Sequence, residues 1–267
     1  MKIAFFGYDL YHPCLPLLAE RGHEIVAIFT GPLSIATQHI HQFAAQHTIP
    51  VIDSKPALVA LNKLVDSGVE LFLSAEYPWK ISVPAELRYA INLHPTMLPH
   101  GRGPTPIPWL LLQYPQHAGL SFHKMTDSFD AGDILLQQSL SIESGDNYDH
   151  YCQKLIGLAT EMLPALFAQI ETLYRHAQPQ AEGSYWPMVP REQQTINWHD
   201  AIEKILKTIR AFGSLGTFAK VNEIEARIFY VEANVLAHEV TPGTILQQNG
   251  NSITVAAKDG VITIPFR

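Results

Sequence analysis

Three polar residues, Asn92, His94 and Asp130, have the types and the spacing of an acyl-transfer site. Asn92 and His94 lie two residues apart at the end of an apolar run, and on a strand their side chains share one face. An asparagine amide and an imidazolium can stabilise an oxyanion, imidazole can move a proton, and a nearby carboxylate would orient the ring. An attacking amine then requires no serine or cysteine nucleophile. From residue types alone a structural role for the Asn-x-His pair is the commoner outcome, so both interpretations stay open.

The elements that would position these residues are short apolar runs alternating with segments of helical spacing. Strands are predicted at residues 2–7, 24–30, 49–53, 70–75, 90–93, 119–125 and 133–140. Helices are predicted at residues 33–47, 57–65, 105–113 and 148–175, the last with a kink near Pro164. This alternation predicts an α/β fold with a Rossmann-like parallel sheet covered on both faces. Asn92 and His94 would emerge at the carboxyl end of a strand, where such sheets bind ligands.

The sequence changes character after Trp198. Residues 200–212 have the spacing of an amphipathic helix, and the remainder consists of strand-like runs with turn signals at 248–251 and 258–260. A small antiparallel β subdomain is therefore predicted. The expected organisation is a catalytic domain at 1–176, a linker at 177–199, and a helix plus β subdomain at 200–267.

Composition argues against several classes of protein. The formal net charge of −7 argues against a nucleic-acid partner, and no apolar run approaches the roughly 20 residues that span a bilayer. The two cysteines, Cys14 and Cys152, are far apart and no signal peptide is recognised, so a cytoplasmic location without membrane contact is expected. His39 and His41 do not share a helix face, so they predict no metal site. The sequence contains no Gly-x-Gly-x-x-Gly loop of the kind that binds a dinucleotide cofactor.

Three motifs follow one another in the middle of the chain. They are N-L-H-P-T-M-L-P from residue 92, R-G-P-T-P from residue 102, and D-A-G-D-I from residue 130. In type, order and spacing they closely resemble the formyltransferase family that uses N10-formyltetrahydrofolate. The resemblance covers residues 1–175 well and is weaker beyond. It implies that Asn92, His94 and Asp130 form the catalytic site, with N10-formyltetrahydrofolate as co-substrate and no metal.

The resemblance also implies two loops against which the pterin of the folate would lie, largely through backbone groups. The residues concerned are Glu76, Tyr77 and Trp79 in the first loop, and Thr126 and Asp127 in the second. Asp127 is the rival of Asp130 for the catalytic carboxylate. Arg102 either contacts the substrate or fixes its own loop by bonding carbonyl groups, and the two roles are equally weighted.

The C-terminal part resembles the OB-like β-barrel subdomain of methionyl-tRNA formyltransferases and of some amino-sugar formyltransferases, through residues 195–198 and 242–246. The favoured acceptor is a small amine, specifically that of a nucleotide-linked amino sugar. The chain is acidic, it lacks an obvious C-terminal Lys/Arg stripe, and its loop at residues 31–34 is short where the tRNA-formylating relatives carry a longer basic insertion.

Other functions are kept as alternatives. Methionyl-tRNA formylation is the first, and a hydrolase that releases formate from the same folate is the second. A non-catalytic folate-binding module is the third, although binding alone would not require the Asn-His-Asp trio. The sequence leaves a homodimer open.

Overall fold

The structure, a computed structural model, describes residues 1–222 and 224–266. The chain divides into two compact units. The first unit contains Met1–Pro106, His117–Ser141 and Cys152–Trp186, and the second contains Ile107–Gln116, Ile142–Tyr151 and the chain from Pro187 onwards. The contiguous boundaries predicted from the sequence stay a prediction.

A seven-stranded sheet forms the centre of the first unit. Its strands are β1 (Lys2–Gly7), β2 (Glu24–Phe29), β3 (Val51–Ile52), β4 (Leu71–Ala75), β5 (Tyr89–His94), β6 (Gly119–Lys124) and β7 (Ile134–Ser139). Their order is β3-β2-β1-β4-β5-β6-β7. Nearly every side chain of β1, β4 and β5 is buried, which is typical of strands covered on both sides. The predicted α/β fold is confirmed.

The sheet changes direction at β6. Neighbouring strands from β3 to β5 are parallel, whereas β6 is antiparallel to β5 and β7 is antiparallel to β6. The predicted parallel sheet therefore carries two antiparallel strands at this edge, whose direction the sequence analysis did not assign. The loop between β6 and β7 contains no helix, and a parallel crossover requires a connection of about a dozen residues or more.

The helices differ from the predicted ones mainly at their ends. They are α1 (Cys14–Glu20), α2 (Gln38–His47), α3 (Leu58–Asp66), α4 (Pro106–Leu112), α5 (Tyr148–Ala168), α6 (Ile170–Arg175) and α7 (Ile202–Phe212). Pro164 lies inside α5, and the predicted helical segment is interrupted at Gln169, whose φ of −128° is not helical; the kink near Pro164 stays a prediction. Within the described part of the chain, no helix is both long and apolar enough to cross a membrane.

Helix α2 begins later than the pattern predicted because a polar loop precedes it. Thr37 Oγ1 donates to the carbonyl of Pro32 (2.8 Å) and accepts from the N–H of Ser34 (2.9 Å), so the loop closes on itself. The carboxylate of Asp9, just after β1, then accepts the backbone N–H groups of His39 and Ile40. These bonds satisfy donors that every helix start leaves free.

The second unit contains the predicted antiparallel β structure. Its strands are β8 (Thr217–Val221), β9 (Ile224–Ile228), β10 (Glu232–Val235), β11 (Ile245–Gln248), β12 (Ser252–Ala257) and β13 (Gly260–Pro265). They form a four-stranded sheet in the order β10-β13-β12-β11 and a two-stranded sheet of β8 and β9. The apolar face of α7 packs with these strands in one core, to which Trp198 and Ile202 contribute. The prediction of a small C-terminal antiparallel β subdomain is confirmed.

Candidate active site

Asn92 and His94 lie on β5, the last strand of the parallel part of the sheet. Asn92 is paired with Ser74 of β4 on one side and with His123 of β6 on the other. Both side chains of the Asn-x-His pair point to one face, as their spacing predicted. Because β5 is held on both sides by a main-chain ladder, the position of these two side chains is fixed by the sheet itself.

Asp130 reaches this pair from the loop between β6 and β7. One carboxylate oxygen, Oδ1, lies 3.4 Å from Asn92 Nδ2 and 3.4 Å from His94 Nδ1. The other, Oδ2, accepts the backbone N–H of Gly103 at 2.9 Å. The structure thus brings together the three residues that the motifs predicted, Asn92, His94 and Asp130.

The two nitrogens of the His94 ring face different acceptors. Nε2 lies 2.8 Å from the carbonyl oxygen of Gly101, and since a carbonyl only accepts, Nε2 carries a hydrogen. Nδ1 faces the carboxylate of Asp130, which favours a second proton and an imidazolium. Burial opposes this and lowers the pKa of His94, while the charge of Asp130 and the Gly101 carbonyl raise it in part.

The carboxyl group of Asp130 is held in its ionised form. Burial alone would raise its pKa, but the charge of His94 and the N–H of Gly103 oppose that effect, and the pKa lies well below its usual range. The result is a buried carboxylate at neutral pH with two histidine rings and an amide around it. Such an arrangement can orient an imidazole and stabilise its charge.

His123 is a member of the cluster that the sequence analysis missed. Its Nδ1 lies 2.8 Å from the carbonyl oxygen of Lys124, so Nδ1 carries the hydrogen and the neutral ring presents a bare Nε2. That atom accepts from Asn92 Nδ2 at 3.0 Å and lies 3.6 Å from Asp130. In the sequence, His123 is simply a histidine on a predicted strand. Its place beside Asn92 follows only from the register of β6 with β5.

The first predicted folate loop follows β4. Glu76 begins it with a left-handed backbone (φ 61°), and Tyr77 packs its ring against Phe6 and Trp79. The Tyr77 hydroxyl is buried, and the described residues give it no hydrogen-bond partner. The loop therefore offers a polar group and an aromatic wall, which fit a flat, polar ring such as a pterin.

The second predicted folate loop lies beside the first. Lys80 Nζ is 3.2 Å from the carboxylate of Asp127, so an exposed ion pair links the two loops. Thr126 Oγ1 donates to the carbonyl of Ser128 at 2.9 Å. Asp127 points away from the histidine cluster into solvent, which favours Asp130 over Asp127 as the carboxylate of the site.

Arg102 is bound to its own surroundings. Its Nε donates to Gln180 Oε1 at 2.9 Å and its Nη2 donates to the carbonyl of Ala181 at 3.3 Å. Two of the guanidinium nitrogens are thus engaged within the protein, which favours the loop-fixing role over contact with a substrate. The described residues contain no group of three or more histidine, cysteine or carboxylate side chains placed to hold a metal ion.

Comparison with known proteins identifies the family. Residues 38–166 match the formyl transferase family, and residues 188–265 match the C-terminal domain of formyl transferases. The fold and these matches define an enzyme of the group-transfer class. The chain belongs to the formyl transferase family, which confirms the family predicted from the motifs.

Individual relatives cover nearly the whole chain. A methionyl-tRNA formyltransferase of Ruminiclostridium cellulolyticum is 27% identical over 99% of this chain and 90% of its own length. HypX from Aquifex aeolicus, solved with tetrahydrofolic acid, has a TM-score of 0.74 at 18% identity, over 99% of this chain and 43% of its own. An N-formyltransferase from Helicobacter canadensis, solved with folinic acid and dTDP-3-aminofucose, has a TM-score of 0.66 at 15% identity, over 99% and 98% of the two chains. At these identities the two solved structures establish a shared fold.

Proposed function

We propose that this enzyme transfers a formyl group from N10-formyltetrahydrofolate to the primary amine of a small molecule, most specifically of a nucleotide-linked amino sugar. The observation that carries formyl transfer is the buried cluster in which Asn92, His94 and Asp130 meet within 3.4 Å. An amide and an imidazole beside a fixed carboxylate suit acyl transfer to an amine. The two loops around Tyr77 and Asp127 supply the place for the folate.

The amine attacks the formyl carbon directly in this proposal. A bond from the amine nitrogen to the formyl carbon forms, the bond from that carbon to the folate nitrogen breaks, and one proton passes from the amine to the folate nitrogen. Asn92 and the Nε2–H of His94 stabilise the negative oxygen of the intermediate; the protonated ring gives a proton to the leaving folate nitrogen and takes one from the amine. Asp130 orients the ring and stabilises its positive charge while His94 is protonated.

The hydrogen bonds of the cluster define what must change when substrate binds. Both hydrogens of Asn92 Nδ2 are engaged, one with His123 at 3.0 Å and one with Asp130 at 3.4 Å. The longer of these bonds is the one that Asn92 gives up for the formyl oxygen. His94 likewise turns its Nε2 hydrogen from the Gly101 carbonyl to that oxygen.

Two observations favour a small amine: the composition of the loop before α2, and the net charge of the chain. Residues 31–37 contain no lysine or arginine, and the loop is closed by the bonds of Thr37. With a net charge of −7, the chain has little attraction for a polyanion, which basic loops bind by releasing counterions. The Helicobacter canadensis structure, whose whole length aligns, was solved with an amino sugar carried on dTDP.

Methionyl-tRNA is the second candidate acceptor. It is supported by the names of relatives that match 99% of this chain, including the C-terminal unit, in Ruminiclostridium cellulolyticum and Rickettsia africae. The catalytic cluster would be the same for both acceptors. They differ in whether a large, negatively charged partner is bound.

The experiment is a formyl-transfer assay with N10-formyltetrahydrofolate. It compares a panel of nucleotide-linked amino sugars with charged initiator methionyl-tRNA, and an Asn92→Ala variant serves as the control for site-dependent turnover. Turnover with a sugar and none with tRNA supports the proposal. Turnover with tRNA alone overturns the small-amine acceptor, and formate release at the same rate with no amine present identifies a hydrolase.

A further inference from the structure

The segment after α6 contributes to the catalytic cluster although its sequence predicts a linker. Residues up to Trp186 belong to the same unit as β5 and the Asp130 loop. Gln178 forms a β-bridge with Ile134 at the start of β7, and Tyr185 forms another with Arg102. Main-chain bridges therefore join both ends of the segment 178–186 to parts of the chain that surround the site.

Gln180 lies between these two bridges, and its side-chain amide is fully hydrogen-bonded. Nε2 donates to the carbonyl oxygen of Asp130 at 2.8 Å and to that of Gly132 at 2.7 Å. Oε1 accepts from Arg102 Nε at 2.9 Å. Carbonyls only accept and guanidinium only donates, so the amide has a single satisfactory orientation, and Arg102 sets it.

The backbone that Gln180 holds is not one that its residues adopt freely. Asp130 has a φ of 54°, in the left-handed region that is disfavoured for residues other than glycine. A Cβ atom on Gly132 would lie 2.0 Å from the carbonyl oxygen of Lys124, so the loop passes very close to β6. A conformation of this kind persists only when surrounding contacts determine it, and the two bonds from Gln180 are such contacts.

We propose that Gln180 is a positioning residue for formyl transfer, which holds the Asp130 loop so that the Asp130 carboxylate stays against His94 and Asn92. Arg102 acts one step further away, because it fixes the amide of Gln180. This inference rests on the proposed function of the Asn92-His94-Asp130 cluster. It gives Arg102 a role that needs no contact with a substrate.

The test compares two variants of Gln180 with a matched control. Gln180→Ala removes all three hydrogen bonds, whereas Gln180→Glu keeps the partner of Arg102 but places an oxygen against two carbonyls. Gln178→Ala is the control, because the Gln178 side chain is exposed and its amide donates to the carbonyl of His176, while the main-chain bridge to Ile134 is retained. Thermal unfolding of each variant shows which of them fold.

Both Gln180 variants are expected to lose kcat, on the order of 10²-fold for a displacement of about 1 Å, with KM for the folate nearly unchanged. Gln178→Ala is expected to keep wild-type kcat. Folded Gln180 variants with wild-type kcat would overturn the proposal, and so would a change confined to KM.

A second readout separates this proposal from the proposed function. The His94 ring is titrated by NMR in the full-length protein, without any substrate. The Asp130 carboxylate raises the pKa of His94, so displacement of that carboxylate lowers this pKa in Gln180→Ala, whereas Gln178→Ala leaves it unchanged. An unchanged His94 titration in folded Gln180→Ala refutes the positioning role even if no formyl acceptor is found. A shifted titration without any formyl transfer refutes the proposed function alone.

Discussion

Asn92 on β5 and His123 on β6 stand opposite one another in the antiparallel ladder, and Asn92 Nδ2 lies 3.0 Å from His123 Nε2. The backbone carbonyl of Lys124 fixes the hydrogen of His123 on Nδ1, so Nε2 is the acceptor in the neutral ring. A main-chain carbonyl of the neighbouring strand thereby decides which way the amide of Asn92 points. A donor that is oriented before substrate arrives needs no reorganisation during the reaction, which suits the oxyanion role proposed for Asn92.

Replacement of His123 tests this orientation. In His123→Leu the Asn92 amide loses its nearer acceptor, and a buried donor without a partner costs about 1–3 kcal/mol. The amide is then no longer held in one orientation, and because misplacement of a reacting group costs rate, we expect kcat to fall about tenfold or more. Steady-state kinetics at saturating folate measures this, with His150→Leu on the exposed side of α5 as the control. Unchanged kcat in His123→Leu would show that Asn92 needs no such orientation.

Removal of either proposed oxyanion donor gives a larger effect. Asn92→Ala and His94→Ala are each expected to reduce kcat by about 10²–10³-fold, as loss of one such donor does in other acyl-transfer enzymes. Single-turnover measurements with pre-bound folate separate the chemical step from binding. Near-normal turnover in either variant contradicts the mechanism proposed above.

The Asp130 carboxylate should shift the titration of His94 in a defined direction. A negative neighbour stabilises the imidazolium, so it raises the pKa of His94 against the lowering effect of burial. In Asp130→Asn this support is lost, and His94 should release its proton at a lower pH than in the wild type. NMR titration of the ring measures the change. Asp127→Asn is the control, because Asp127 is exposed and pairs with Lys80, and a similar shift there would contradict the assignment.

Two glycines give opposite expectations for stability. A Cβ on Gly183 would lie 2.0 Å from the carbonyl oxygen of Pro99, so Gly183→Ala forces the backbone apart and should cost about 1–3 kcal/mol. Gly157 lies inside α5 with no atom within 4 Å of the added methyl group, so Gly157→Ala should add about 0.5–1 kcal/mol. Thermal unfolding of both variants checks the signs. If Gly183→Ala were as stable as the wild type, the segment 178–186 and the loop at Pro99 would be able to move apart at little cost in free energy.

The sheet and much of the site were predictable from the sequence because both depend on local patterns. Buried parallel strands such as β1 and β4 are continuous apolar runs, and Asn92 and His94 share a face through simple alternation. The direction of β6 was not predictable in the same way, because the residue pattern of a strand is the same whether it pairs parallel or antiparallel to its neighbour. His123 was missed for this reason, since it acquires its partner through the register of β6 with β5.

Gln180 was missed for a different reason. Its hydrogen-bond partners are main-chain carbonyls, which every residue has, and one of them lies 50 positions earlier in the chain. A glutamine among prolines and other glutamines gives no sign of such a partner. The interruption at Gln169 was likewise hidden, because a proline nearby offered a more obvious place for it.

The hydrogen bonds between Gln180 and the Asp130 loop also determine when the proposed site can be completed during synthesis of the chain. A ribosome makes protein from the amino end at about 5–20 residues per second. Asp130 is made 50 residues before Gln180 and can receive the bond to its backbone carbonyl only after Gln180 has left the exit tunnel. In the proposed scheme, a nascent chain that already contains Asn92, His94 and Asp130 still lacks the amide that positions Asp130, as would a truncated product ending at the last residue of α6.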